Sequence, residues 1–290
     1  MTVLLISALF LSAAVSYAWF ARQEMRRASA EEFASVSRGL AVIACREVSG
    51  WIASDGGDSD SRHERLYSGE PLGMDYGEFL VSVTITPLDD KIPINGLFLP
   101  DGVTMKNEYA YPWNQILGAL GVKNASVILD FMDADHDARS GSREDEIFAN
   151  RPVSDLSELL WLPEMTRGTL YSGVSSDVAM DGFFTVYGGS GININMAPAP
   201  VIAALDPGIG SDVAEAVAVF RLNNEIKNAE DLGSVAGFSS TAITRLKNVL
   251  NYKSDFFLVR LTIEHRTVAR NFEAIVKRGG NGCEIINWRE

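Results

Sequence analysis

The chain has no charged side chain before Arg22, and only two cysteines, three histidines and ten prolines in 290 residues. Each scarcity excludes something. A run of 21 apolar or small residues is long enough, at about 1.5 Å per helical residue, to cross the roughly 30 Å of a bilayer's hydrocarbon. No Lys or Arg precedes the run and no small-residue cleavage motif follows it, which sets it apart from a secretory signal peptide. Residues 1–21 are therefore expected to be a retained membrane helix. Cys45 and Cys283 lie far apart with no CxxC spacing, so they are not a metal or redox pair. A bridge between them would tie the N-terminal helix to the C-terminal end and contribute on the order of a few kcal/mol. Two buried free thiols would look the same in sequence.

The three histidines, His63, His136 and His265, are scattered and form no HExxH. Gly188-Gly189-Ser190-Gly191 is glycine-rich, but no lysine follows at phosphate-loop spacing, so a turn is expected. Asp130 and Asp133 have no nucleophile or evident pocket beside them, and no enzymatic activity is expected. Basic residues are also few. The net charge is −13, while residues 1–30 carry three arginines against Glu24, so the body is more acidic still. Such a body is a poor partner for nucleic acid, which needs clustered Lys and Arg.

From Arg22 to Ile52 there is no proline, and the only glycines are Gly39 and Gly50. Phe33, Val36, Leu40 and Ile43 recur at helical spacing, and Ala44, Val48 and Trp51 widen that face. The reading is one helix of roughly 50 residues, apolar all round at first and amphipathic later. Asp55–Asp60 then forms a turn-rich break. Phe79, Val81, Val83 and Ile85 alternate with smaller or polar residues, as a half-buried strand requires. Phe257, Val259, Leu261 and Ile263 do the same near the other end. Phe272, Ala274 and Val276 resume the pattern, and Gly279-Gly280-Asn281-Gly282 turns the chain into Cys283–Trp288. These distant strands can share one antiparallel sheet only if the middle loops out. That middle carries candidate helices at Trp113–Leu120, Ala125–Met132, Val153–Leu160, Val201–Leu205, Val213–Leu222 and Thr241–Leu250. The expected fold is α+β: a long N-terminal helix packed on an antiparallel sheet, with a large inserted α-helical domain. Its units are 1–21 in the membrane, 22–96 with 253–290 as a discontinuous helix-on-sheet domain, and 97–252 as the insert.

The most chemical segment of the insert is DADHDARSGSRE, Asp133 to Glu144. Asp133, Asp135, Asp137 and Glu144 match positions 1, 3, 5 and 12 of a calcium loop, an ion that takes six to eight oxygens. Ala138 stands where that loop needs glycine, and the flanks are not a matched helix pair, so the site has another geometry. Asp145 and Asn150 are further candidate ligands, and Arg139 and Arg143 would temper a merely solvated acidic loop. Leu205 to Leu250 resembles paired helix–hairpin–helix units, with Pro207-Gly208-Ile209-Gly210 opening one helix and Val235-Ala236-Gly237-Phe238 the next. DNA-binding versions follow the hairpin with basic residues; here Ser211-Asp212 and Glu215 follow it.

The order of these segments resembles the K-type minor pseudopilins of the type II secretion system (the general secretion pathway protein K family). The likeness covers nearly the whole chain. It rests on the uncharged N-terminal helix, DKIPIN (Asp90–Asn95), DFMDADHDARSGSREDEIF with Asn150-Arg151-Pro152, and GININMAP (Gly191–Pro198). The Pro207–Gly210 hairpin and SDFFLV (Ser254–Val259) complete it. The resemblance implies a pilin fold with a calcium-binding helical insert, bound with I- and J-type minor pseudopilins at the tip of a short periplasmic pseudopilus. It implies Asp133, Asp135, Glu144 and Asp145 as ligands of one or two calcium ions; Asp137 rests on the loop spacing. It also implies an inner-membrane single span with the body in the periplasm, although Arg22, Arg26 and Arg27 alone would favour a cytoplasmic body. Met1 is expected to be the mature first residue left by a prepilin peptidase acting on the precursor, and to be methylated. Leu5 replaces the glutamate that most pilins present to a neighbouring subunit, which suits a subunit with no neighbour above it. Secreted cargo is a further expected partner. The alternative function is a membrane-anchored helix–hairpin–helix protein that handles DNA in uptake.

Overall fold

The computed structural model describes residues 2–172, 178–189, 191–280 and 282–290. Met1, the expected processing position, lies outside the described residues, as do Ser190 of the glycine-rich stretch and Asn281 of the C-terminal turn. Helix α1 runs without interruption from Thr2 to Ser54, 53 residues or roughly 80 Å. It stops where Asp55 accepts the Gly57 N–H at 3.2 Å, a side-chain turn that competes with helix continuation.

The first half of α1 touches nothing. Val3, Leu4, Phe10, Tyr17 and Trp19 are all exposed, and this is a helix long and apolar enough to cross a membrane. The second half buries Ser37, Ala41, Ala44, Cys45, Val48, Ser49 and Ile52. This stripe is turned by about one residue from the Phe33–Val36–Leu40–Ile43 face that periodicity favours; Ile43 is 52% exposed. Small side chains explain the rotation, since Ser37, Ala41 and Ala44 let the helix backbone approach the sheet closely while larger residues flank the contact. Replacing Ala44 by Leu should therefore lower stability by about 1–3 kcal/mol through overpacking. Thermal denaturation checks this; a melting point equal to that of the parent chain would mean the helix can lift off freely.

The sheet carries strands β1 (Leu72–Tyr76), β2 (Phe79–Pro87), β7 (Phe256–His265), β8 (Val268–Gly279) and β9 (Gly282–Arg289), ordered β1-β2-β7-β8-β9 and antiparallel throughout. Register places Val81 opposite Ile263, Val83 opposite Leu261 and Ile85 opposite Val259. Leu261 and Val259 in turn face Phe272 and Ala274. All of these are fully buried under α1, so the period-2 patterns of the sequence mark the helix-facing side. Strand β1 had no such pattern: of LGMDY, only Met74 is buried.

Between β2 and β7 the chain forms a second apolar cluster, from Ile92 to Val249. Its helices are α2 (Asn107–Ala119), α3 (Ser126–Met132), α4 (Arg167–Leu170), α5 (Ala199–Leu205), α6 (Ser211–Phe220), α7 (Ala229–Gly233) and α8 (Ser240–Leu246). Two expected helices differ. Leu156–Trp161 is a 3-10 turn held by an Asp155–Glu158 capping box. The helix expected to reach Leu250 ends at Leu246, because Leu250–Asn251 forms strand β6. Two short parallel pairings fasten the insert near its roots: β3 (Ile92–Pro93) with β4 (Phe184–Thr185), and β5 (Ile192–Asn193) with β6.

Candidate functional site

The acidic loop follows α3 directly. Asp130 and Asp133 are buried, and the guanidinium of Arg139 reaches both, contacting Asp130 Oδ1 at 2.5 Å, Asp133 Oδ2, and the Val103 carbonyl at 2.5 Å. Arg139 is thus an internal counter-ion rather than a solvated neighbour. Arg143 turns away and makes a two-pronged pair with Glu164. Burial pushes Asp133 up to about 6, against the pull of Arg139.

The expected ligands do not form one compact cluster. Asp135 spends Oδ1 on the Asp137 N–H at 3.1 Å, Asp137 is exposed, and Asp145 is exposed with its Oδ1 3.4 Å from the Ile147 N–H. Glu144 accepts from Asn150 Nδ2 at 2.9 Å, and Asn150 also meets His136 Nδ1. Among the described residues, Asn150 is one of two non-glycine residues with positive φ (45°), a conformation asparagine tolerates better than most. Besides the Ser142 hydroxyl, three buried acceptor oxygens in this loop have no partner among the described residues: Asp133 Oδ1, Glu144 Oε2 and Asn150 Oδ1. Orphaned acceptors are costly when nothing supplies them with positive charge or hydrogen. All three are hard oxygens, the donor type calcium selects.

Among the described residues, the three carboxylates whose oxygens lie within 4.8 Å of one another are elsewhere: Asp55, Asp60 and Glu64. A cation is already built in there. Arg278 of β8 contacts Asp60 at 2.9 Å, Asp55 at 3.1 Å, the Tyr67 hydroxyl at 2.6 Å and the Ser254 carbonyl at 3.0 Å. Tyr67 donates to Asp55 at 2.9 Å, and the Ser254 N–H donates to Asp60 at 2.6 Å. Burial pushes Asp60 up, whereas at Asp55 burial is outweighed by Tyr67, the Gly57 amide and Arg278. The motif residues of the resemblance serve the same junction. Asn193 Nδ2 donates to the Asp60 carbonyl and to Ser254, and Asn195 makes a reciprocal pair with Ile226 at 2.7 and 3.0 Å. Asp89 accepts the amides of Gly189, Asp255 and Phe256. Sequence reasoning missed Arg278, although a signal existed: it continues the inward register of Phe272, Ala274 and Val276.

Glu64 borders this junction. Burial pushes it up to about 7, helped by the charges of Asp55, Asp60 and Glu225 and opposed by the Ser61 amide. The folded value lies above the ordinary 4.5. Its contribution to stability is therefore complete below about 4.5 and is lost as pH rises through about 7. Glu64→Gln should raise the melting point at pH 8 by roughly 2–4 °C and leave it unchanged at pH 5. Thermal scans at the two pH values check this, and an equal shift at both would exclude titration of Glu64 as the cause.

The two hairpins join α5 to α6 and α7 to α8, so both helix–hairpin–helix units form. In the first, Asp206 accepts the Gly208 amide at 2.7 Å and pairs with Arg245 through two contacts of 2.6 Å. The hairpin amide and the basic side chain that a phosphate would use are thus both engaged by one carboxylate. Cys45 and Cys283 are free thiols, the first buried and the second half-buried against the same core; burial raises Cys45 to about 11.

The fold is a bare apolar helix that continues into a helix-on-sheet body interrupted by a large insert. Residues 192–251 match the family model of type II secretion system protein K. The fold is also similar to a chain of the crystal structure of the GspK–GspI–GspJ complex from the enterotoxigenic Escherichia coli type 2 secretion system. That likeness has a TM-score of 0.65 at 15% identity and covers 91% of this chain and 98% of that one. No curated protein matches the sequence. The family match and the fold likeness thus both fall on type II secretion proteins.

Proposed function

We propose that this chain is a minor pseudopilin at the tip of a type II secretion pseudopilus, nucleating the fibre with I- and J-type minor pseudopilins for protein export across the outer membrane. The observation that carries the proposal is α1. It is one unbroken helix, uncovered where it is uniformly apolar and sheet-packed where it turns amphipathic, as a subunit drawn from a membrane into a fibre requires. In this reading the chain spans the inner membrane once, and its body lies in the periplasm. Partners meet the chain through the N-terminal helix, which packs within the 22–96 and 253–290 unit, and 97–252 is the inserted helical domain. The role is structural, not catalytic. Calcium belongs to the proposal: the orphaned oxygens of Asp133, Glu144 and Asn150 suit one ion, with Asp135, Asp137 and Asp145 within the same short loop to complete one or two sites. The Cys45–Cys283 bridge, if formed in the periplasm, would fasten α1 to β9.

Full-length chain in detergent, mixed with candidate I- and J-type pseudopilins, should co-elute with them as one complex on size exclusion. Elution of this chain alone in the presence of both would overturn the assignment. Tight, salt-sensitive shifting of DNA by the same preparation would favour the uptake alternative instead, against the engagement of Asp206 with Gly208 and Arg245.

A further inference from the structure

In a chain of net charge −13, one cavity has cationic walls. It measures about 440 Å³ and lies between segment 61–63, the turn 195–198 and the end of α6. Arg62 and Arg221 line it, with Met196, Pro198 and Leu222 as an apolar side and Asn224 at the rim. Arg221 is half-buried, and its Nη1 donates to the carbonyls of Ile194 at 2.5 Å and Ala197 at 2.9 Å. Those bonds use both Nη1 hydrogens. The Nε–Nη2 edge has no hydrogen-bond partner among the described residues, and neither Arg62 nor Arg221 makes an ion pair within 4 Å there. The charge of Arg62 also acts on the buried carboxylate of Asp90, and two further acids of this region are engaged elsewhere. Glu64 accepts the Ser61 amide, and Glu225 accepts the Ser59 hydroxyl and lies 3.4 Å from Lys227. Burial and the charge of Arg62 lower Arg221 to about 10, so it stays charged near neutral pH, and among the described residues no carboxylate lies within ion-pair distance of it.

We propose that this cavity binds a carboxylate of a polypeptide whose neighbouring side chain is aliphatic. The free guanidinium edge of Arg221 has the planar, two-donor geometry that matches a carboxylate. Arg62 adds charge from the exposed rim, and Met196, Pro198 and Leu222 offer the aliphatic group a surface. Because the body as a whole repels anions, binding here depends on these two side chains and is sensitive to salt.

The test uses the full chain in detergent micelles with 15N-labelled arginine, following the side-chain N–H signals of Arg62 and Arg221. The probes are N-acetyl-leucine, its uncharged amide, and inorganic phosphate. N-acetyl-leucine should move both signals to saturation, and the amide should bind about 10-fold more weakly, the loss expected for one charge-assisted hydrogen-bonded pair. Arg221→Gln also removes the bonds to Ile194 and Ala197 and tests folding as much as binding. The informative variant is therefore Arg62→Gln, which removes an exposed side chain with no hydrogen bond to a described residue. It should weaken N-acetyl-leucine binding about 3- to 5-fold with a cooperative melting transition retained. Equal binding of acid and amide, unchanged affinity in R62Q, or phosphate binding more tightly than N-acetyl-leucine would each overturn the proposal.

Discussion

Replacing Arg278 by methionine should lower the melting point by about 10 °C or more, or abolish a cooperative transition. The guanidinium carbon lies over the Phe257 ring, 4.9 Å from its centroid, and methionine keeps only the aliphatic stem, so the loss reports the ion pairs of the guanidinium together with its stacking. What the substitution leaves behind is Asp60, fully buried, and Asp55 beside it, with no cation between them. Breaking a buried pair from one side costs about 3–5 kcal/mol, since the stranded charge stays out of water. The joint is also where three parts of the chain meet: the end of α1 through Asp55, strand β8 through Arg278 itself, and the insert through Asn193. Arg278→Lys should recover only part of the loss, because an ammonium cannot face Asp55, Asp60 and Tyr67 at once in a planar fork. Arg278→Met combined with Asp60→Asn should be more stable than Arg278→Met alone, a coupling that a double-mutant cycle isolates. Melting of R278M within about 3 °C of the parent chain would show that the joint is incidental.

The second large effect is expected from calcium. Millimolar calcium should raise the melting point by roughly 8–12 °C over the same sample in chelator, as a site filled to 100–1,000 times its Kd contributes about 3–4 kcal/mol. Magnesium should do less, because it is smaller and gives up its water reluctantly. The pair Asp133→Asn with Glu144→Gln keeps the shapes of both side chains and removes two negative charges, and it should erase the calcium shift. Identical melting in calcium and in chelator would remove the ion from this loop and leave Arg139 as the cation that serves Asp130 and Asp133.

The parts legible in the sequence are those set by periodicity. Phe257, Val259, Leu261 and Ile263 announce a strand with one buried face, and the scarcity of breakers from Ala18 to Ser49 announces the rod. The parts that were not legible depend on contacts between distant segments. The seat of α1 on the sheet follows the small residues Ser37, Ala41 and Ala44, which carry little hydropathy, so the larger Val36 and Ile43 mark the wrong stripe. Strand β1 is held by pairing to β2 rather than by its own burial. The acidic loop was legible as chemistry but not as geometry, because nothing in DADHDARSGSRE indicates that Arg139 folds back on Asp130 and Asp133. Arg62 and Arg221, more than 150 positions apart, become neighbours only through the fold.

The pairing of Pro87 with Phe257 has a consequence for how the molecule comes into being. The two residues are about 170 positions apart, and bringing such ends together costs on the order of 4–5 kcal/mol of chain entropy before any rung is gained. Strands β7, β8 and β9 also leave the ribosome only after the whole insert. Throughout synthesis, then, the apolar stripe of α1 has only the β1–β2 hairpin to lie against, and the excursion between the two halves must condense around its own core first. High contact order of this kind makes for slow maturation and a nascent chain prone to aggregation. A late truncation that removes β9 should therefore yield insoluble protein instead of a shortened soluble one.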